Sequence, residues 1–100
     1  MFYIRKRSIK YLETSRGIAF TAHLLERGSD VHLGMVENEG RGGATTFLGA
    51  NPHVDRLVKA FADKHNTTVE NVMDACMDVA EGVSPTYEED AELYVELASN

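Results

Sequence analysis

The residues best placed to bind a ligand lie in a glycine-rich segment near the middle of the chain, Asn38 to Gly43 (NEGRGG). Its three glycines permit positive φ angles and a close approach of the backbone to a ligand. Successive N–H groups in such a loop can form an anion-binding nest, to which Arg41 would add a positive charge. The spacing matches neither a P-loop nor a dinucleotide fingerprint. The segment is therefore either a hairpin tip or a contact site for a phosphate or a protein, formed by Asn38, Gly40, Arg41, Gly42 and Gly43.

Carboxylates form a second candidate surface in the last third of the chain. At helical spacing, one row contains Glu70, Asp74, Asp78 and Glu81, and a second contains Glu88, Glu92 and Glu96. Like charges four residues apart destabilise a helix by roughly 0.2–0.5 kcal/mol per pair. An ordinary soluble surface mixes both signs of charge. The rows are therefore either a solvated face or a surface that binds a basic partner.

The net charge is unevenly divided along the chain. A formal charge of −6 over 100 residues speaks against direct nucleic-acid binding, because nucleic-acid binders are usually basic. Residues 1–65 hold all ten Lys and Arg and seven acids, whereas residues 66–100 hold nine acids and no Lys, Arg or His. Such asymmetry favours an interaction surface over an active site.

The four histidines do not form a recognisable metal motif. His23 and His32 fall on neighbouring strands of a predicted hairpin, and His53 and His65 fall at opposite ends of a predicted helix. No HExxH spacing occurs, and a single cysteine excludes a CxxC site. We therefore expect neither a metal nor another cofactor.

The sequence also lacks the common catalytic motifs. Cys76 falls on an apolar helical stripe, where a free cysteine usually packs as a small hydrophobic residue. No serine occupies a GxSxG elbow. We therefore expect that the protein is not an enzyme.

Alternating apolar residues predict strands in the first half of the chain. Residues 17–25 and 31–37 alternate, and Gly28 to Asp30 supply turn chemistry between them. Segments 8–14 and 44–48 add two further strands. The pattern predicts a four-stranded antiparallel meander over about 8–48, with one face that needs a cover.

Helical patterns follow at about 52–65, 68–81 and 87–98. Asn51 and Pro52 begin the first helix, and capping boxes pair Thr67 with Glu70 and Thr86 with Glu89. The expected buried side of the third helix contains Tyr87, Ala91, Tyr94 and Ala98, flanked by Leu93 and Leu97. Strands and helices in separate runs predict an α+β fold, a single domain over residues 1–100 with three helices packed on one face of the sheet.

Targeting signals are not recognisable in the sequence. At the start of the chain, Met1 to Arg7, the charged residues follow the apolar ones, which is the reverse of a secretory signal. No apolar stretch approaches the length of about 18 residues that a membrane span requires. We expect no membrane association and a cytoplasmic location.

One segment of the chain resembles a known group of proteins. Residues 34–43 read GMVENEGRGG and follow the predicted strand Gly17–Leu25. This arrangement, within Lys10 to Phe47, is similar to a segment of small uncharacterised phage and bacterial proteins. The resemblance implies no catalytic residue; it implies that the loop matters and that the protein is of phage origin and acts in a host cytoplasm. Small acidic phage proteins often block a host enzyme, which is an analogy at the level of the class.

Together these observations predict a non-enzymatic binding protein. Its acidic rows would dock on a basic, nucleic-acid-handling host protein, as a phage-type inhibitor does, and the loop would add a second contact. The first alternative is a small-ligand module that binds phosphate or nucleotide at Gly40–Gly43. The second is a homo-oligomer that pairs the basic N-terminal strand of one copy with the acidic helices of another.

Overall fold

The fold is α+β, an antiparallel sheet followed by three helices, as predicted. The computed structural model describes residues 1–85 and 91–99. The strands are β1 (Phe2–Ile4), β2 (Lys10–Thr14), β3 (Gly17–Glu26), β4 (His32–Asn38) and β5 (Thr45–Gly49). The helices are α1 (Pro52–Lys64), α2 (Val69–Glu81) and α3 (Ala91–Ala98).

Within residues 1–85 and 91–99 the sheet has five strands, one more than the predicted meander. Its order is β1-β3-β4-β5, and β2 pairs with β3 on the same edge as β1. Ile4 lies opposite Leu24 and Lys10 opposite Thr21, so β1 and β2 follow one another along the long strand β3. The sequence did not predict β1 because three residues are too few to show an alternating pattern.

A 3₁₀ turn at Lys6–Ser8 separates β1 from β2. At this turn the Ser8 side chain takes the place of a backbone acceptor for one N–H of β3. The Ser8 hydroxyl accepts a hydrogen bond from the N–H of His23 at 2.9 Å and donates one to the carbonyl of Arg5 at 2.6 Å. Because a backbone N–H left without a partner away from water costs about 1–3 kcal/mol, Ser8 lets the edge bulge without losing this hydrogen bond.

Polar side chains begin α1 and α2. The Asn51 side chain accepts a hydrogen bond from the N–H of Val54 at 3.0 Å, which confirms the predicted cap. The capping box at Thr67 and Glu70 was wrong by one residue: Thr68 is the N-cap and accepts from the N–H of Asn71. Gly82 ends α2 in the left-handed conformation. The predicted cap at Thr86 and Glu89 lies outside the described residues.

The core lies between one face of the sheet and the helices. Ala22, Leu24 and Val36 point toward the helices and are fully buried. They meet apolar side chains from all three helices, including Val58, Val72, Met73 and Leu97. In α3 the buried residues are Leu93 and Leu97, whereas Ala98 is exposed, so the stripe predicted as its buried side was misplaced; Tyr87 lies outside the described residues.

The other face of the sheet carries no helix among the described residues. Successive side chains of a strand point to opposite faces, so His23 and Met35 lie on this open face. Two residues further along β3, Leu25 lies on the same face between Tyr3 of β1 and His32 of β4. Leu48 is 73% exposed there, which shows how little covers this side. Across the described residues, no helix is both long enough and apolar enough to span a bilayer.

Candidate functional site

The acidic rows of the sequence lie on α2 and α3. We use the name acidic surface for the six carboxylates that the structure describes: Glu70, Asp74, Asp78, Glu81, Glu92 and Glu96. Glu88 lies outside the described residues. Glu70, Glu81 and Glu92 are exposed, whereas Asp74, Asp78 and Glu96 are half-buried.

Glu96 contacts the C-terminal end of α1. Its carboxylate lies 3.8 Å from Lys64 Nζ and 2.9 Å from Nε2 of His65. The His65 side chain is only 12% exposed and its ring packs against Phe61, with 4.5 Å between the ring centroids. Glu96 therefore helps to hold α3 against α1, a contact that sequence spacing alone did not indicate.

Glu81 contacts the sheet at the C-terminal end of α2. Burial and a hydrogen bond to Glu81 raise the pKa of Tyr11 on β2 to about 12. A carboxylate in the last turn of a helix is unfavourable toward the helix dipole. The Tyr11 hydroxyl offsets part of this unfavourable interaction by donating a hydrogen bond to the Glu81 carboxylate.

Three carboxylates of the acidic surface, Glu70, Asp74 and Glu92, form no ion pair with the described residues. Among residues 1–85 and 91–99, neither Glu70, Asp74 nor Glu92 lies within 4.0 Å of a basic side-chain nitrogen. Asp78 does interact with other residues of the chain. Glu70 lies in the first turn of α2, where the helix dipole stabilises a negative charge by about 0.3–1 kcal/mol and offsets part of its repulsion by Asp74. The acidic surface therefore contains three engaged and three unpaired carboxylates.

The glycine-rich loop is closed by its own hydrogen bonds. The Asn38 side chain accepts from the N–H of Gly40 at 2.7 Å and donates to the carbonyl of Gly43 at 2.9 Å. The N–H of Gly43 donates to the carbonyl of Gly40 at 2.9 Å. Two of the N–H groups that a nest would present to an anion are therefore used within the loop.

The backbone of this loop also departs from a nest. Gly40, Arg41 and Gly42 have φ angles of 87°, 62° and 69°, three left-handed residues in a row rather than the alternating right- and left-handed pair of a nest. A Cβ on Gly40 would lie 3.2 Å from the carbonyl oxygen of Ile18 on β3. The turn and its close packing on β3 account for the glycines, and the exposed Arg41 remains as the contact residue of the loop.

A groove on the open face of the sheet gathers basic side chains that the sequence did not bring together. Its volume is about 470 Å³. We call it the basic groove; it is lined by Arg5, Arg7, Ser8, His23, Leu25 and His32. Nδ1 of His23 lies 2.8 Å from Nε2 of His32, so the two rings share a hydrogen bond.

Local backbone irregularities form the basic groove. A register shift between Leu24 and Leu25 brings His32 opposite Leu25 and within reach of His23. The 3₁₀ turn presents Arg5 and Arg7 at the edge of the same face. The alternation of the hairpin predicted the nearness of the two histidines, but no sequence signal placed Arg5 and Arg7 beside them.

A carboxylate near the basic groove is already engaged. Asp30 accepts a hydrogen bond of 2.6 Å from the hydroxyl of Tyr3, and this bond raises the pKa of Tyr3 above its usual value. The Arg27 guanidinium lies over the Tyr3 ring, 5.1 Å from its centroid. Among the described residues no carboxylate lines the groove itself.

The described residues show no group of three or more His, Cys, Asp or Glu side chains that could hold a metal ion. Cys76 is buried in α2, and its burial raises the pKa of the thiol to about 12. The thiol therefore stays protonated at neutral pH, whereas a nucleophile or a metal ligand must be a thiolate.

Comparison of the chain with protein-family models, with curated proteins and with solved structures finds no match.

Proposed function

We propose that this chain is a non-enzymatic protein that binds a basic protein partner stoichiometrically through its acidic surface. The observation that carries the proposal is the set of unpaired carboxylates Glu70, Asp74 and Glu92. They stand on two packed helices that contain no Lys, Arg or His. A partner would therefore supply the counter-charges that the chain itself does not.

The geometry of α2 suits a basic surface. Carboxylates one helical turn apart are spaced by about 6 Å, because each residue of a helix rises by 1.5 Å. Such a row imitates the regular negative charge of a phosphate backbone. Proteins that handle nucleic acid present basic surfaces suited to that spacing, and they are the partner class that we propose. The role of an inhibitor of such a host protein rests on the resemblance in the first half of the chain.

Electrostatic complementarity sets the expected binding behaviour. Charges at the rim of an interface accelerate association more than they increase affinity, and salt screens them over a Debye length of about 10 Å at 0.1 M. We therefore expect fast association that weakens as the salt concentration rises.

The test compares two variants with the same change of net charge. E70Q/D74N/E92Q neutralises the unpaired carboxylates, whereas E13Q/E37Q/E39Q neutralises three exposed carboxylates of the strand half. Asp78, Glu81 and Glu96 are left unchanged because each interacts with other residues of the chain. Proteins retained from a lysate by the immobilised chain are identified by mass spectrometry and then titrated as purified proteins at low and high salt.

The proposal predicts a basic, nucleic-acid-handling protein that binds the wild type and the control but not E70Q/D74N/E92Q. Binding of the purified partner should weaken at high salt. A partner that binds both variants equally would show that the acidic surface is not the binding site. A partner without a basic surface would contradict the proposed class of partner.

The position of the basic groove favours a second candidate function, self-association. The groove lies on the open face, on the opposite side of the sheet from the helices that carry the acidic surface. One copy could therefore dock its acidic surface on the groove of the next. Such head-to-tail contacts give rings or open chains rather than a closed two-fold dimer. Sedimentation velocity over a wide concentration range tests this: salt-sensitive growth beyond the monomer supports it, and a monomer throughout contradicts it.

A further inference from the structure

We propose that the basic groove binds the phosphate group of a small molecule such as a phosphate monoester or a nucleotide. This site does not depend on the proposed binding of a basic partner, because it uses other residues on the other side of the sheet. It also differs from the glycine-rich loop, where the sequence suggested that a phosphate would bind.

The first argument is the number of donors around one small volume. Arg5 and Arg7 each carry a guanidinium, a permanently charged fork of N–H donors that fits phosphate oxygens in pairs. Among the described residues, neither side chain takes part in an ion pair. His23 and His32 add ring nitrogens in the same groove. Four such side chains match the several acceptor oxygens of a phosphate better than the two oxygens of a carboxylate.

The second argument is the hydrogen bond between the histidines. When the pair is neutral, one ring donates across the 2.8 Å contact, and only one of the two outer nitrogens, Nε2 of His23 or Nδ1 of His32, carries a proton. When the pair takes up one proton, both outer nitrogens become N–H donors. A dianion in the groove favours that protonated pair, so its binding is coupled to the uptake of a proton.

The charges that face the histidines support this coupling. From β1 and the 3₁₀ turn come Tyr3, Arg5 and Arg7, whereas Arg27, after the end of β3, contacts the Tyr3 ring and the carbonyl of Leu97. Two carboxylates belong to the surroundings: Asp30, in the turn before β4, is held by the Tyr3 hydroxyl, and Glu37 lies on the same face of β4, two residues from Met35. The groove thus gathers cations and neutral groups, an arrangement that repels a metal ion and attracts an anion.

The net charge of the chain limits the size of the ligand. At −6 overall, the protein as a whole repels a long polyanion, and the acidic surface adds to this repulsion. Tyr3 is the aromatic residue in the row of Leu25 and His32, and its ring is covered on one side by Arg27. Bases of a single strand need open aromatic faces to stack on. A single phosphate group therefore fits the groove better than a nucleic acid.

The experiment is a titration of the full chain with inorganic phosphate, phenyl phosphate and a short single-stranded oligonucleotide, followed by NMR of the backbone amides and histidine rings. We expect phosphate and phenyl phosphate to shift resonances of Arg5, Arg7, His23 and His32. The variant R5Q/R7Q should bind roughly tenfold more weakly or worse, because it removes both charged forks. The matched control R16Q/R56Q removes two exposed guanidiniums elsewhere and should bind like the wild type.

Thermal unfolding of both variants separates a lost site from a lost fold. If R5Q/R7Q is unfolded, the histidine shifts of the wild type on adding phosphate still decide the matter. Equal weakening in both variants, shifts confined to other residues, or no binding at millimolar phosphate would overturn the proposal. Binding of the oligonucleotide without binding of either phosphate would overturn the choice of a small ligand.

Proton uptake gives a second readout. Sulfate stays a dianion near pH 7, so any proton taken up when it binds comes to the protein and not to the ligand. Calorimetry in two buffers of different ionisation enthalpy should show uptake by the wild type and by H53Q, whose histidine is exposed on α1, but not by H23Q. The same uptake in H23Q, or none in the wild type, would contradict the role of the histidine pair.

Discussion

The acidic surface and the basic groove place opposite charges on opposite sides of one sheet, and they are built differently. The acidic surface lies on regular helices, and its spacing follows from the helical repeat, while buried leucines hold α3 in place. The basic groove depends on backbone irregularities: the 3₁₀ turn at Lys6–Ser8 and the register shift at Leu24 and Leu25. A surface set by periodicity can be found in a sequence, whereas one set by irregular backbone becomes visible only in the fold.

The largest effect that we predict comes from removing the packing beneath the acidic surface. Leu97 is 1% exposed, and L97A should lower the free energy of unfolding by about 2–5 kcal/mol because it leaves a cavity under α3. Urea unfolding measures this change. V95A, on the exposed side of the same helix, is the control and should change it by about 0.5 kcal/mol or less. Equal decreases in the free energy of unfolding of L97A and V95A would mean that α3 does not pack on the core through Leu97.

The stability of the sheet edge that carries the basic groove should depend on the Ser8 hydroxyl. S8A removes the acceptor of the His23 N–H and should lower the free energy of unfolding by about 1–3 kcal/mol. It should also weaken phosphate binding, since the Ser8 hydroxyl holds the carbonyl of Arg5 and Arg7 is the preceding residue. S29A removes a hydroxyl from an exposed turn and serves as the control in urea unfolding. Full stability and full phosphate binding in S8A would show that the edge does not depend on its hydroxyl.

A smaller effect should separate the engaged from the unpaired carboxylates of the acidic surface. E96Q removes the charge that faces Lys64 and His65 and should lower the free energy of unfolding by about 0.5–1 kcal/mol, less at high salt. E92Q has no such pair and should leave stability almost unchanged. If E92Q proves the more destabilising substitution in urea, the division between engaged and unpaired carboxylates is wrong.

The last effect should be absent at neutral pH and appear only at alkaline pH. The pKa of Tyr11 is raised to about 12, so the folded chain keeps a proton that the unfolded chain loses near pH 10. This contribution to stability is fully present below pH 10 and is lost as the pH rises toward 12. Y11F removes this titration, so its stability should fall less steeply than that of the wild type over this range in urea unfolding. Parallel curves would show that Tyr11 does not interact with Glu81.

Sequence periodicity predicted most of the fold. The alternation of residues 17–25 and 31–37 gave the central hairpin, and the caps and apolar stripes gave the helices to within a residue or two at their described ends. Periodicity could not predict β1, because a strand of three residues is too short to show an alternating pattern. It placed the cap of α2 one residue early because two adjacent threonines, Thr67 and Thr68, are chemically equivalent at that position.

The candidate sites were predicted less completely than the fold. The sequence placed the carboxylates on helical faces but not their contacts with Tyr11, Lys64 and His65, because those contacts join elements that are distant in the chain. It suggested an anion site in the glycine-rich loop, as an alternative to a simple hairpin tip, because glycine content is visible in a sequence. The hydrogen bonds of Asn38 that close that loop are not visible there.

The most direct test of the account is one NMR experiment with two opposite probes. A lysine peptide of about ten residues and inorganic phosphate are titrated separately into the full chain at low salt. The account predicts two disjoint sets of shifted amides: the lysine peptide acts around Glu70, Asp74 and Glu92, and phosphate acts around Arg5, Arg7, His23 and His32. Shifts from the lysine peptide that avoid the acidic surface, or a single set of residues shared by both probes, would contradict it.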